Sequence, residues 1–131
     1  MHLFIRRLLR FFKTYKVVYE GAGVSANTFY AGGNGKNGWK VRYGTQQKYK
    51  KIFGFLIKAA RIPKMQSYAL VVFYSQKQDA DNVIGGSVKL FNDVLKEIAV
   101  PDDGYKNCKL VASIYDPTLK PKTTEFIIVK T

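Results

Sequence analysis

Apolar positions alternate along Thr14–Glu20, with Tyr15, Val17 and Tyr19 set against Lys16 and Val18. That period of two predicts a strand, ended by Gly21-Ala22-Gly23. Residues 31–38, a run of Gly and Asn broken by Ala31 and Lys36, predict a flexible turn. Trp39, Val41 and Tyr43 alternate with Lys40 and Arg42 and predict a second strand with a basic outer face. From Gln46 the period changes. Tyr49, Ile52, Phe53, Leu56 and Ala60 recur at helical spacing, so a helix to about Arg61 is expected, with Thr45 as its N-cap and Pro63 as its stop. Ser67–Ser75 is almost continuously apolar, which suits a central strand buried on both faces. Val88, Phe91, Leu95 and Ile98 give a second helix one apolar stripe, with Ser87 as its cap after Gly85-Gly86. Lys109–Tyr115 and Thr124–Lys130 alternate as two closing strands, joined by the loop from Pro117 to Pro121.

The order reads β-β-α-β-α-β-β. It predicts a single α+β domain, a mixed β-sheet with two main helices, over residues 14–131. A basic leader, residues 1–13, precedes it. There Leu3-Phe4-Ile5 and Leu8-Leu9 are interrupted by Arg6, Arg7 and Arg10, so the apolar run is too short for a membrane span or a signal core. The leader is expected to pack on the domain or to bind phosphates. A cytoplasmic protein with no membrane partner follows.

Composition adds a size and a polarity. The 131 residues suffice for one core. Against 22 Lys and Arg stand only 9 Asp and Glu, a net charge of +13. Before Gln66 the only acid is Glu20, so the entire excess lies in the N-terminal half and implies a surface that faces a polyanion. Lys40 and Arg42, with Lys48, Lys51 and Lys58 on the outer side of the first helix, are candidate DNA contacts. Lys77 is another.

Cys108 is the only cysteine and His2 the only histidine. Catalysis by Ser-His-Asp or Cys-His groups and histidine zinc sites are thereby removed. Carboxylates, lysines and a metal remain. The scarce acids crowd together: Asp79, Asp81, Asp93, Glu97, Asp102 and Asp103. Asp79 and Asp81 lie two apart after a strand and would leave one face if strand geometry persists. Asp103, in the turn after the second helix, can return beside them. Three carboxylates make a hard oxygen site suited to Mg²⁺, with Mn²⁺ as a substitute. Lys89 could neutralise charge on a phosphate. It could equally form a surface pair with Asp93 worth about 0.2–0.5 kcal/mol. Asn82 could orient a carboxylate or satisfy the turn, and Asp-x-Asp-Asn is a common capping sequence. One unbroken helix would set Lys89 about 12 Å along the axis from Asp81, and a break at Gly85-Gly86 would shorten that.

The run Asp79-x-Asp81-Asn82, Lys89-x-x-x-Asp93 and Pro101-Asp102-Asp103 resembles the RusA family of Holliday junction resolvases. Ser25-Ala26-Asn27-Thr28-Phe29-Tyr30, Thr45 with Tyr49-Lys50, and the closing strand Glu125–Val129 are also similar to that family. The resemblance spans roughly Tyr15 to Lys130. It implies a RusA-like fold and a homodimeric endonuclease that makes paired symmetrical nicks in four-way DNA junctions with Mg²⁺. It implies Asp79, Asp81 and Asp103 as metal ligands and Lys89 as the catalytic lysine. Asn82, Asp93 and Asp102 take supporting roles. No small-molecule cofactor beyond the metal is expected. Two alternatives stay open: a non-catalytic DNA-binding or architectural protein on the same fold, and a Mg²⁺-dependent nuclease for flaps or other branched DNA.

Overall fold

The apolar run at Ser67–Ser75 forms strand β2 (Tyr68–Tyr74), and all seven of its residues are buried. A computed structural model describes residues 1–21, 23, 38–101 and 104–131, with the backbone alone at 38, 39 and 41. The other elements are α1 (His2–Leu9), β1 (Thr14–Glu20), α2 (Gly38–Ala59), α3 (Ala80–Val83), a π-helical segment (Ile84–Val88), α4 (Lys89–Ile98), β3 (Cys108–Tyr115) and β4 (Thr123–Lys130). The chain is a small α+β domain with a four-stranded mixed sheet, ordered β1-β4-β2-β3. β4 is antiparallel to both β1 and β2, and β3 is parallel to β2. A parallel pair needs a crossover, and the helical stretch from Ala80 to Ile98 supplies it.

Successive β2 side chains point to opposite faces, so an all-apolar strand must be covered twice. Tyr68, Leu70, Val72 and Tyr74 join Phe126 and Ile128 of β4 on one face. There Tyr49, Phe53 and Ile57 of α2 and Phe91, Val94 and Leu95 of α4 close the main core. Its centre is aromatic: Phe91 and Phe126 stack with ring centres 3.9 Å apart, and Phe53 meets both edge-on at 5.7 and 5.5 Å. Buried Asn92 accepts the Tyr68 hydroxyl proton, so this polar pair is satisfied inside the core. Ala69, Val71 and Phe73 face the other way, with Ile114, Ile127 and Val129, and Ile5 and Leu9 of α1 pack on them.

Residues 39–43 are helix, not the expected second strand. Half-buried Arg42, Thr45 and Gln46 lead into buried Tyr49 at the i, i+3, i+4, i+7 spacing of one helix face. Tyr43, which a strand would have buried, is 58% exposed. Five alternating residues were too few to separate period two from period 3.6, and the longer helical period prevails. Thr45 is consequently an interior helix residue rather than an N-cap. α2 ends before Pro63 is reached: Arg61 takes a left-handed φ of 54°, and its N–H bonds back to the Lys58 carbonyl. Ser87 also caps nothing, because it is buried in the π segment.

Although α1 buries no residue fully, a charged clamp fixes it. Asp116, 0% exposed, accepts Arg6 Nε at 3.2 Å and Nη2 at 2.8 Å, and the N–H and hydroxyl of Thr118 at 2.9 and 2.6 Å. Arg6 Nη1 also donates to Glu125 at 3.0 Å, and the guanidinium lies 3.9 Å over the Phe73 ring. His2 Nδ1 stands 3.3 Å from Asp116. Such a buried carboxylate persists only with partners of this kind. Burial pushes the Asp116 pKa up, but the Thr118 hydroxyl, Arg6 and the Thr118 N–H outweigh it and hold Asp116 below its ordinary 3.8. The clamp therefore contributes in full above that value and is lost as pH falls through the lower folded value. Asp116→Ala is expected to reduce stability by about 3 kcal/mol in urea unfolding and to remove this acid-dependent step. Equal stability of variant and wild type at neutral pH would contradict the clamp.

Candidate metal centre and nucleic-acid interface

β2 ends at Tyr74, and five residues later Asp79 stands in extended backbone (φ −70°, ψ 148°) as the residue before α3. Asp81 lies in the first helical turn. The two carboxylates thus meet at a helix start, not on the pleat of a continuing strand. The positive end of the helix dipole favours both charges there. Asp79 does not cap with its side chain; its carbonyl instead accepts the N–H groups of Asn82 and Val83. Asp81 Oδ1 accepts the Asn82 N–H at 3.0 Å, so Asn82 meets a carboxylate through its backbone.

Below them lies Tyr74, 2% exposed, whose hydroxyl donates to the Gln78 carbonyl at 3.0 Å. Its pKa is raised above 10.0, first by burial and then by the charges of Asp79, Asp81 and Tyr115. Asp79 and Asp81 are exposed, and among the described residues neither forms an ion pair, whereas Asp116, Glu125 and Glu97 all do. In the loop leading to Asp79, the side-chain carbonyls of Gln76 and Gln78 are buried without a hydrogen-bond partner. Asp79 and Asp81 are the residues here that could hold a hard cation such as Mg²⁺ or Mn²⁺, which one or two carboxylates commonly bind. Asp102 and Asp103 lie outside the described residues, as does the Ser25–Tyr30 segment. Among the described residues no cluster of three metal-ligating side chains forms.

The helix does not break at Gly85-Gly86. It passes through the π segment, with Ile84 and Lys89 both in ordinary helical backbone. A π turn closes i→i+5 and so takes up about one residue more than an α turn. Eight residues from Asp81 to Lys89 then rotate about as seven would, and i, i+7 positions share a face. Lys89 accordingly stands on the exposed row of Asp81, about two turns along it. It forms no pair with Asp93, which is half-buried further along α4. A groove of about 250 Å³, lined by Gly85, Val88, Lys89, Asn92 and Val111, runs between this row and β3.

Of the expected DNA contacts, α2 aligns three. Lys40, Lys51 and Lys58 are exposed, and Lys40 and Lys58 are about five full turns apart, so they share one row. Lys48 flanks that row, over the Tyr49 ring. Arg42 is half-buried on the opposite side of the helix and does not join them. Lys77 is exposed in the loop before Asp79.

Sequence reasoning missed Tyr115. It pairs in register with Tyr74, its ring lies 5.7 Å away, and it is 46% exposed at the tip of an edge strand. The signal was an aromatic at the last position of a strand that carries no further neighbour.

Compared with known proteins, the chain matches no family and no curated protein. No helix among the described residues is long and apolar enough to cross a membrane.

Replacing Asp79 and Asp81 together by Asn is expected to lower the Tyr74 pKa toward 10.0 without reaching it, because burial persists. Tyrosine-selective NMR across alkaline pH measures this. An unchanged midpoint would mean that the charges of Asp79 and Asp81 do not act on Tyr74.

Proposed function

We propose that the chain is a Mg²⁺-dependent, structure-selective DNA endonuclease. It would resolve four-way junctions in the cytoplasm by paired symmetrical nicks, as its resemblance to RusA resolvases implies. The observation that carries this reading is the placement of Asp79 and Asp81 at one helix start after the central strand, exposed and without an ion pair among the described residues although the chain is rich in cations. Free carboxylates amid so much positive charge repel a phosphate backbone unless a cation lies between them. Mg²⁺ held by Asp79 and Asp81, with Asp103 implied as the third ligand, would stabilise charge on the scissile phosphate and position the attacking water.

The chain's own groups then divide the work. Lys40, Lys51 and Lys58 attract and hold the backbone. Lys89, on the row of Asp81, places a cation near the phosphate and offsets charge that develops on its oxygens. Tyr115 offers an exposed ring on which an unpaired base at a branch point can stack. Tyr74 stays protonated beneath the carboxylates, keeping its own charge out of a site that must accept a polyanion. Cutting two strands at symmetric positions calls for a two-fold homodimer.

The non-catalytic reading has one observation in its favour: the described residues alone supply two carboxylates rather than three. Cleavage of a fixed four-way junction with Mg²⁺ decides between them. Wild type should produce paired nicks, and Asp81→Asn should cut at least a hundredfold more slowly with unchanged junction binding. Equal cutting by that variant would refute the metal-site reading. Preferential cutting of a flap would replace the junction with another branched substrate.

A further inference from the structure

A groove of about 610 Å³ opens at the end of the sheet opposite Asp79. Its rim carries three lysines from separate parts of the chain: Lys64 in the loop after α2, Lys96 in the last turn of α4, and Lys130 at the end of β4. Gln66 and Ser67 add polar groups between them. The acid on this rim, Glu97, lies 3.9 Å from Lys50 of α2, which offsets its charge. Lys64 and Lys130 are exposed and form no ion pair among the described residues. The α2 lysine row ends at Lys58, in the last turn, and Lys64 follows six residues later.

We infer that this groove is a second backbone-binding site for DNA. It holds one arm of a branched duplex whose branch point lies at Asp79 and Asp81, and so it rests on the function proposed above. Cations spread over a loop, a helix and a strand suit an extended polyanion better than a single small anion, which needs donors converging on a point. A concave site in which lysines outnumber the one acidic side chain also concentrates a positive field on a backbone lying in it. Lys130 pairs with Tyr68 at the start of β2, and Asp79 follows its other end, so the seven-residue strand separates the two sites by about 20 Å. Along B-form DNA that distance is about six base pairs. The groove therefore reads arm length, and a branch with short arms cannot reach it.

Fluorescence anisotropy without divalent cation tests this, using two fixed four-way junctions. One has arms of about 15 base pairs; the other has arms of about five, closed by hairpin caps. Lys64→Ala with Lys130→Ala, both exposed positions, should bind the long-armed junction at least tenfold more weakly. Its slope of log affinity against log salt should be shallower by about 1.8, since each phosphate contact contributes about 0.9. The short-armed junction should bind wild type and double variant alike. An unchanged slope on long arms, or an equal loss on both junctions, would overturn the second site. Wild type that binds neither junction would overturn the DNA reading itself.

Discussion

The burial of β2 on both faces is the constraint from which the rest follows. Seven consecutive buried residues cannot be shielded by one layer of helices. α2 and α4 cover one side with an aromatic cluster built on Phe53, Phe91 and Phe126. The other side needs its own cover, and α1 provides it at the start of the chain. Because β2 is central and paired with β3 in parallel, the helical crossover must begin at its C-terminal end. Asp79, Asp81, Tyr74 and Tyr115 are collected there by topology, before any specific contact is considered.

The two sides of the sheet are held by different physics. The main core relies on large apolar rings whose loss would leave cavities. α1 relies on Arg6, Asp116 and Glu125, a charged group at half-buried depth, while Leu3, Phe4 and Leu8 face solvent at 61%, 65% and 47% exposure. α1 mixes Ile5 and Leu9 with the Arg6 guanidinium on its inward face, while Arg7 and Arg10 stay exposed. It remains in place because Asp116, fully buried, is satisfied by Arg6 and Thr118 together. The electrostatic clamp and the carboxylate site share one end of the sheet, since Asp116 follows Tyr115 directly and its N–H bonds the Tyr74 carbonyl.

Much of this was legible in the residue pattern. β1, with its short alternation, is found at Thr14–Glu20 as expected, and β2 shows itself as an apolar run. Both signals are local, which is why they survive. The stretch from Trp39 to Tyr43 was misread because its apolar spacing fits two periods and its true neighbours lie further along α2. The π segment was invisible for another reason: residue types do not reveal whether a turn closes at i+4 or i+5, although Gly85-Gly86 marked the place. The clamp joins residues 110 positions apart, a pairing no local pattern encodes. Asp79 and Asp81 were legible as chemistry, since acids are rare in this chain. Their placement at a helix start, at the end of the strand that buries Tyr74, needed the fold, as did the exposure of Tyr115.

The central claim is that Asp79 and Asp81 together hold a hard divalent cation. An NMR titration of backbone amides with Mg²⁺ tests it without any substrate. The account predicts saturable shifts confined to Gln78–Asn82, with smaller ones at Tyr74 and Tyr115, and their loss in the Asp79→Asn, Asp81→Asn variant. Shifts centred elsewhere, or unchanged in that variant, would contradict it.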